Sequence, residues 1–244
     1  MTAYDRYFAE VTALLRRIHE SERESIRRAA QLMVDSICAD GVVRVFGTGH
    51  SHLIGEDAFY RAGGLVPVVP ISEPHLMLHE GPTASSALER MSGLAEIVFS
   101  KYRFIPSDTL VVISNSGVNA VPVEMAKLAK GQGLKTIGIV STAYCRATAE
   151  RRGLAETLLD YVDVAVDNHL PPGDALVEIG DGLRMGPGSS ITGSFIIHVM
   201  QMTAAEMLRE RGEEPPVFVS ANMPNAAEHN QRIMERYREY FWKP

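Results

Sequence analysis

The stretch from Val42 to Ser51, VVRVFGTGHS, decides the fold of this chain. Val42, Val43, Val45 and Phe46 are β-branched or aromatic, and their run ends directly on a turn holding Gly47 and Gly49. A short apolar run of this composition reads as a strand covered on both faces, the habit of parallel sheets. The pattern recurs at Leu65 to Ile71, Thr109 to Ser114, Thr136 to Val140 and Tyr161 to Val166. Between the runs lie stretches able to form helices: SHLIGEDAFYRAGG, SSALERMSGLAEIVFSKY, AVPVEMAKLAKGQG and RATAERRGLAETLLD, with Gly64 and Gly133 expected to close two of them. Strands alternating with helices imply crossover connections, so the expected fold is α/β: a doubly wound, five-stranded parallel sheet flanked by helices.

The flanks read as helical extensions of one domain spanning residues 1–244, with residues 1–39 before the α/β core of 40–211 and a tail over 212–244. In the first, Tyr7, Val11, Leu14, Ile18, Ile26, Leu32, Met33 and Ile37 recur at helical spacing, as two amphipathic helices or one long bent one. After Asp167 comes a polar, Pro/Gly-rich stretch, NHLPPGDALVEIGDGLRMGPGSS, expected to be irregular. It leads to an apolar helix from Ile191 to Arg211 that buries itself against the sheet or a second subunit. The tail holds a short extended piece, a turn and a terminal helix starting near Asn225.

A chain of 244 residues that is 45% apolar is long enough for a sizeable core. Its net charge of −6 offers no cationic surplus for a phosphate backbone, so nucleic acid is excluded as the expected partner. The two cysteines, Cys38 and Cys145, form no CxxC pair and read as free thiols of a reducing compartment. The first residues, MTAYDRYFAEVTALLRR, mix charge with apolar positions, and no uncharged apolar run spans a bilayer. Neither a signal peptide nor a membrane anchor is expected, and the expected location is the cytoplasm.

Two loops concentrate the chemistry. The first run passes into GTGHS, where Gly47 and Gly49 allow a tight turn close to a ligand, and Ser51 offers a hydroxyl at the start of a helix. The dinucleotide fingerprint is incomplete, because Gly47 and Gly49 are followed by Ile54 rather than by a third glycine. The third run passes into SNSGVNAVP, where Ser114, Ser116, Gly117 and Asn119 precede another helix. Alternate hydroxyls, a glycine and helix amides make an anion cradle without lysine. Both loops leave the carboxyl ends of parallel strands, where open α/β sheets bind ligands.

GTGHS followed by SNSGVNAVP resembles the paired signature of the sugar isomerase (SIS) domain, over residues 40–210. Asn119 stands where that family usually has threonine. FGTGHSHLIGEDAFYRAGG, the SALER and EPPVF segments and the late EHN resemble a small bacterial phosphosugar-binding branch similar to proteins that dehydrate N-acetylglucosamine 6-phosphate. The resemblance implies a homodimer that binds a small sugar phosphate. Its phosphate would lie on Ser114, Ser116, Gly117 and Asn119, and its sugar end on Gly49, His50 and Ser51. It also implies proton abstraction at carbon 2, after which the enolate either isomerises or expels its carbon 3 substituent. An acetamido group at carbon 2 blocks the simple ketose, so elimination goes with N-acetylated substrates; an aldose–ketose isomerase, an etherase expelling lactate and a non-catalytic sensor remain the alternatives.

Either reaction needs a base and a proton donor. Glu89 is the first candidate base, expected one turn into a helix whose N-terminus, capped by Thr83 or Ser85, faces the cleft; its alternative is pairing with Arg90. Glu80, in a loop, is the candidate second acid, and His229 a candidate for ring opening in its own or a neighbouring subunit's site. Arg61 either neutralises phosphate or pairs with Glu56 or Asp57. The spacings His50-x-His52 and His75-xxx-His79 suit metal ligands in principle, but neither lies in an assured strand or helix, so no metal and no cofactor is expected.

Overall fold

The computed structural model of the protein describes residues 1–241. Two amphipathic helices open the chain. α1 (Ala3–Ser21) begins on a reciprocal cap in which Thr2 Oγ1 accepts the Asp5 amide and Asp5 accepts the Thr2 amide. Glu22 separates it from α2 (Arg23–Cys38), so two helices are adopted rather than one bent one. The first apolar run becomes β1 (Val43–Gly47), which leads into α3 (His50–Ala58). Then come β2 (Val68–Pro70), α4 (Pro82–Leu88), α5 (Leu94–Ser100), β3 (Thr109–Ile113), α6 (Ala120–Gly131), β4 (Lys135–Val140), α7 (Thr142–Arg152) and β5 (Val164–Asp167). A hairpin of β6 (Ala175–Gly180) and β7 (Leu183–Pro187) precedes α8 (Ser189–Glu210), α9 (Ala226–Arg236) and α10 (Arg238–Phe241). The end of the tail, residues 242–244, lies outside the described residues.

β1 to β5 form one parallel sheet in the order β2-β1-β3-β4-β5. Because successive side chains point to opposite faces, each strand feeds two cores. Val43, Val45, Val111, Ile113, Ile137 and Ile139 meet Ala29, Met33, Ile54, Ile196 and Met200 from α2, α3 and α8. Phe46, Leu110, Val112 and Val140 meet Val98, Phe99, Val121, Met125 and Cys145 from α5, α6 and α7. α8 is therefore core, as its apolar circumference demands. No helix among the described residues is long and apolar enough to cross a membrane.

Several boundaries differ from expectation for identifiable reasons. β2 is shorter than Leu65 to Ile71 because Leu65 bridges Val217 antiparallel, while the Val66 amide donates to Pro216 O at 2.8 Å. SSALERMSGLAEIVFSKY breaks into α4 and α5, since Gly93 turns to φ +85 and the Glu124 carboxylate accepts both Ser92 Oγ (2.6 Å) and the Gly93 amide (2.9 Å). The RATAERRGLAETLLD helix starts earlier, with Ser141 Oγ accepting the Tyr144 amide, and stops at Gly153, φ +62. Gly133 follows α6 at φ +80 as a left-handed stop, but Gly64 closes nothing: α3 ends at Ala58, and the positive φ falls on Gly63. The stretch expected to be irregular after Asp167 holds the β6–β7 hairpin, turned by Asp181 and Gly182 at φ +51 and +75. The terminal helix does start after Asn225, and packs Ile233 and Tyr237 onto Val42, Val66, Val69 and Phe218, near where β1 and β2 begin.

Candidate active site

β1 and β3 are neighbours, with Gly47 level with Ile113, yet the chain leaves β1 toward β2 and leaves β3 toward β4. Their loops therefore part, opening a crevice at the point where strand order reverses. The first loop is closed tightly: a Cβ on Gly47 would lie 2.6 Å from the backbone of Ser51, and Gly49 sits at φ +55 with its amide 2.9 Å from Leu76 O. In the second, Ser114 Oγ accepts the Gly117 amide at 3.2 Å, and Gly117 at φ +62 lies against Cys145. Asn115 braces this loop from outside, its carbonyl accepting the Ser141 amide and its Oδ1 accepting Asn168 Nδ2 at 2.9 Å. Ser116 is half-buried on the same turn.

Glu89 stands between the two loops. Its Oε2 accepts Thr48 Oγ1 at 2.8 Å and its Oε1 accepts Asn119 Nδ2 at 3.0 Å, so one carboxylate is hydrogen-bonded to both. Arg90 Nη1 lies 3.1 Å from Oε1, so the alternative pairing with Arg90 coexists with the bridge. Glu89 is the C-cap of α4, however, not a residue one turn in from a helix start. Pro82 opens α4 after Gly81, and neither Thr83 nor Ser85 caps it; Ser85 is buried and donates to Leu76 O at 2.9 Å. The Glu89 carbonyl accepts the Val121 amide at 3.0 Å, tying the end of α4 to the first turn of α6.

Asn119, expected at the phosphate, has its side-chain amide engaged within the chain. It occupies the N-cap position of α6 without capping it, and its side chain turns to Glu89 instead. A capping Asn contributes typically about 1 kcal/mol, which α6 forgoes while leaving its amino-terminal turn without a side-chain acceptor.

The remaining candidates divide. His50 opens α3 and is exposed, and Ser51 is half-buried beside Gly47. Gly49 and His50, with His52, Leu53, Met77 and His79, line a cavity of about 520 Å³ that Ser51 does not reach. Glu80 is exposed, 3.8 Å from His79, and α4 separates it from Glu89 along the chain. Of the two alternatives for Arg61 the structure adopts the pairing: it meets Asp57 at the carboxyl end of α3, 3.4 Å from His198. Within its own chain His229 does not reach the loops: its Nε2 lies 3.0 Å from Val217 O, on the segment paired upstream of β2, away from the strand ends that carry them. His52 is buried against Glu56 at 2.9 Å, and His75 and His79 fall in two separate single-turn 3-10 helices rather than one helix face. Among the described residues no group of three or more His, Cys, Asp or Glu is arranged to hold a metal ion. Thr48 received no role from sequence; the available signal was a hydroxyl placed between two loop glycines. The bracing pair Asn115 and Asn168 left no signal, being 53 residues apart.

A profile of the SIS domain family matches residues 6–141. The chain is similar to a UPF0309 protein of Geobacillus kaustophilus, 39% identical over 236 residues that cover 96% of this chain and 94% of the relative. It is 41% identical to a UPF0309 protein of Brucella canis over 236 residues, 96% of each. Among solved structures, the phosphoheptose isomerase of Neisseria gonorrhoeae aligns with a TM-score of 0.56 at 18% identity, over 82% of this chain and 95% of its own. That of Francisella tularensis gives 0.54 at 16% identity, over 84% and 100%. At these identities the likeness is one of fold.

Proposed function

From the premise that the chain belongs to the SIS domain family, we infer that it is a phosphosugar lyase, removing water from an N-acetylated hexosamine 6-phosphate such as N-acetylglucosamine 6-phosphate. The observation that carries this reading is the Glu89 carboxylate held between the two loops. Ser114, Ser116 and Gly117, with the uncapped start of α6, receive the phosphate, because hydroxyls and helix amides suit an anion. Gly49, His50 and Ser51 face the sugar end. Glu89 takes the carbon 2 proton of the open-chain aldehyde, and its electron pair forms the enolate. The enolate then re-forms the carbonyl as the carbon 3 oxygen departs with a proton, as water. The departing oxygen's proton comes from the Glu89 carboxylic acid just formed or from Glu80, and no cofactor enters.

A second copy of the chain is part of the proposal. Tyr4 and Phe8 on α1 and Leu183 and Met185 on the hairpin are large apolar side chains left exposed, a surface suited to a homodimer. Such a partner is also the route by which His229 would reach a site. The fold likeness to phosphoheptose isomerases keeps aldose–ketose isomerisation as the second reading.

The deciding experiment incubates the purified protein with N-acetylglucosamine 6-phosphate and follows ultraviolet absorbance and product mass. A conjugated product lighter by one water is expected, and Glu89→Gln is expected to slow it by about 10²- to 10⁴-fold, the usual contribution of a positioned base. An isobaric ketose from an aldose phosphate would favour the isomerase; tight binding without turnover would favour a sensor.

A further inference from the structure

Thr48 and Asn119 lie in different loops, those that follow β1 and β3, and reach opposite oxygens of one carboxylate. Thr48 is buried, at 8% exposure, and donates its hydroxyl proton to Glu89 rather than to its own loop. Asn119 sits where its amide would naturally cap α6 and donates to Glu89 instead. A carboxylate at the end of a glutamate side chain turns readily about its last bond, a broad torsion with little preference of its own. Two donors fixed by separate strands stop that rotation, leaving the unused lone pairs aimed in one direction. Both donors are uncharged, so they orient the group without adding a competing charge. The carboxylate's other partner is Arg90, an exposed side chain that also donates to Ser86 O.

We propose that Thr48 and Asn119 are positioning residues for Glu89, holding its carboxylate in line with carbon 2 of the bound sugar phosphate rather than contacting the substrate. This rests on the reading of Glu89 as the base. It also links binding to chemistry, since the two loops that grip the ligand are the ones that aim the carboxylate.

The test follows loss of the carbon 2 hydrogen of N-acetylglucosamine 6-phosphate in D2O by NMR, through conversion to product or through exchange, because removal of that hydrogen is the step shared by elimination and isomerisation. Thr48→Val and Asn119→Ala are expected to lower kcat for loss of that hydrogen by about 10- to 100-fold, with KM changed by less than about threefold, since a misplaced group costs rate more than binding. Thr48→Ser, which keeps the hydroxyl, should recover most of the Thr48→Val loss. In a Glu89→Gln background Thr48→Val should add no further loss, because residues acting through one group are not additive. Unchanged kcat in both single variants overturns the proposal, as does a loss equally large in the Glu89→Gln background. If Thr48→Val fails to fold, Asn119→Ala at its half-buried position decides in the same terms. A wild-type protein that binds the sugar phosphate but neither converts it nor exchanges its carbon 2 hydrogen refutes the base itself and the proposal with it, an outcome recognisable before any variant is made.

Discussion

Gly117→Ala tests whether the second loop depends on its backbone shape. Gly117 holds φ +62, a conformation that costs an ordinary L residue about 1–2 kcal/mol. The new methyl would also sit 2.9 Å from Cys145 Sγ and 3.0 Å from Val140 Cγ2, with Leu158 Cβ at 3.4 Å. Overpacking of that kind adds about 1–3 kcal/mol, while the stiffer unfolded chain returns about 0.4–1 kcal/mol. The expected net loss is about 2–4 kcal/mol, a fall in urea midpoint of roughly 1–2 M at a slope of about 2 kcal/mol/M. The crowding share is separable. In Gly117→Ala/Cys145→Ala the Sγ contact is gone but the strained φ remains, so the double variant should recover about 1 kcal/mol relative to the sum of the singles. Equilibrium urea unfolding of all four proteins measures this. A single-variant loss below about 1 kcal/mol, or purely additive effects, would refute the argument that the loop is shaped by Gly117 lying on Cys145.

Three further outcomes are expected. Asp108 is buried, accepts the Val42 and Ile105 amides at 2.9 and 3.2 Å and faces Arg44 Nε at 3.9 Å, and burial pushes its carboxyl above the usual range. Asp108→Ala would strand a buried guanidinium and two amides, costing about 3–5 kcal/mol in denaturant titration; a cost near zero would contradict that account. At Asp57, burial raises the carboxyl, but the hydrogen bond and charge of His198, with Arg61, outweigh it and leave it below the ordinary value. A depressed carboxylate contributes stability above its unfolded pKa of about 3.9 that is lost as pH falls through the folded value. Heating scans should therefore show His198→Ala below wild type near pH 5–6, with the gap closing below about pH 4; a constant gap across that window would reject the pairing. Leu183→Asp with Met185→Asp should shift sedimentation toward monomer without lowering the unfolding midpoint, and an unaltered sedimentation profile would remove the hairpin from any self-association.

The strands were legible because a sheet covered on both faces needs near-continuous apolar runs, and Val42 to Phe46 (broken by Arg44), Leu110 to Ile113 and Ile137 to Val140 supply them. The two loops were legible for a related reason: a strand passing directly into a helix needs small residues at the turn. The hairpin was missed because prolines and glycines surround it and its outward face is exposed, although Leu176, Val177 and Ile179 before Asp181-Gly182 carried strand and turn signals. α4 and α5 were read as one helix because periodicity continues across Gly93, whereas Glu124 on α6 stabilises the break from a distance. Arg61 illustrates the limit for charged side chains, since Asp57 and His198 claim it from two helices.

What the sequence by itself determined is therefore the parallel sheet and its two Gly/Ser-rich loops, because these depend on local patterns of burial and turn chemistry. What only the tertiary structure decided is how Glu89 is held. The partners of its carboxylate, Thr48 and Asn119, lie 41 and 30 residues away in opposite directions along the chain. They meet only because β1 and β3 pair directly while β2 is carried to the outside of the sheet. A hydrogen bond reads distance and direction in space, and strand order, which no local pattern encodes, sets both.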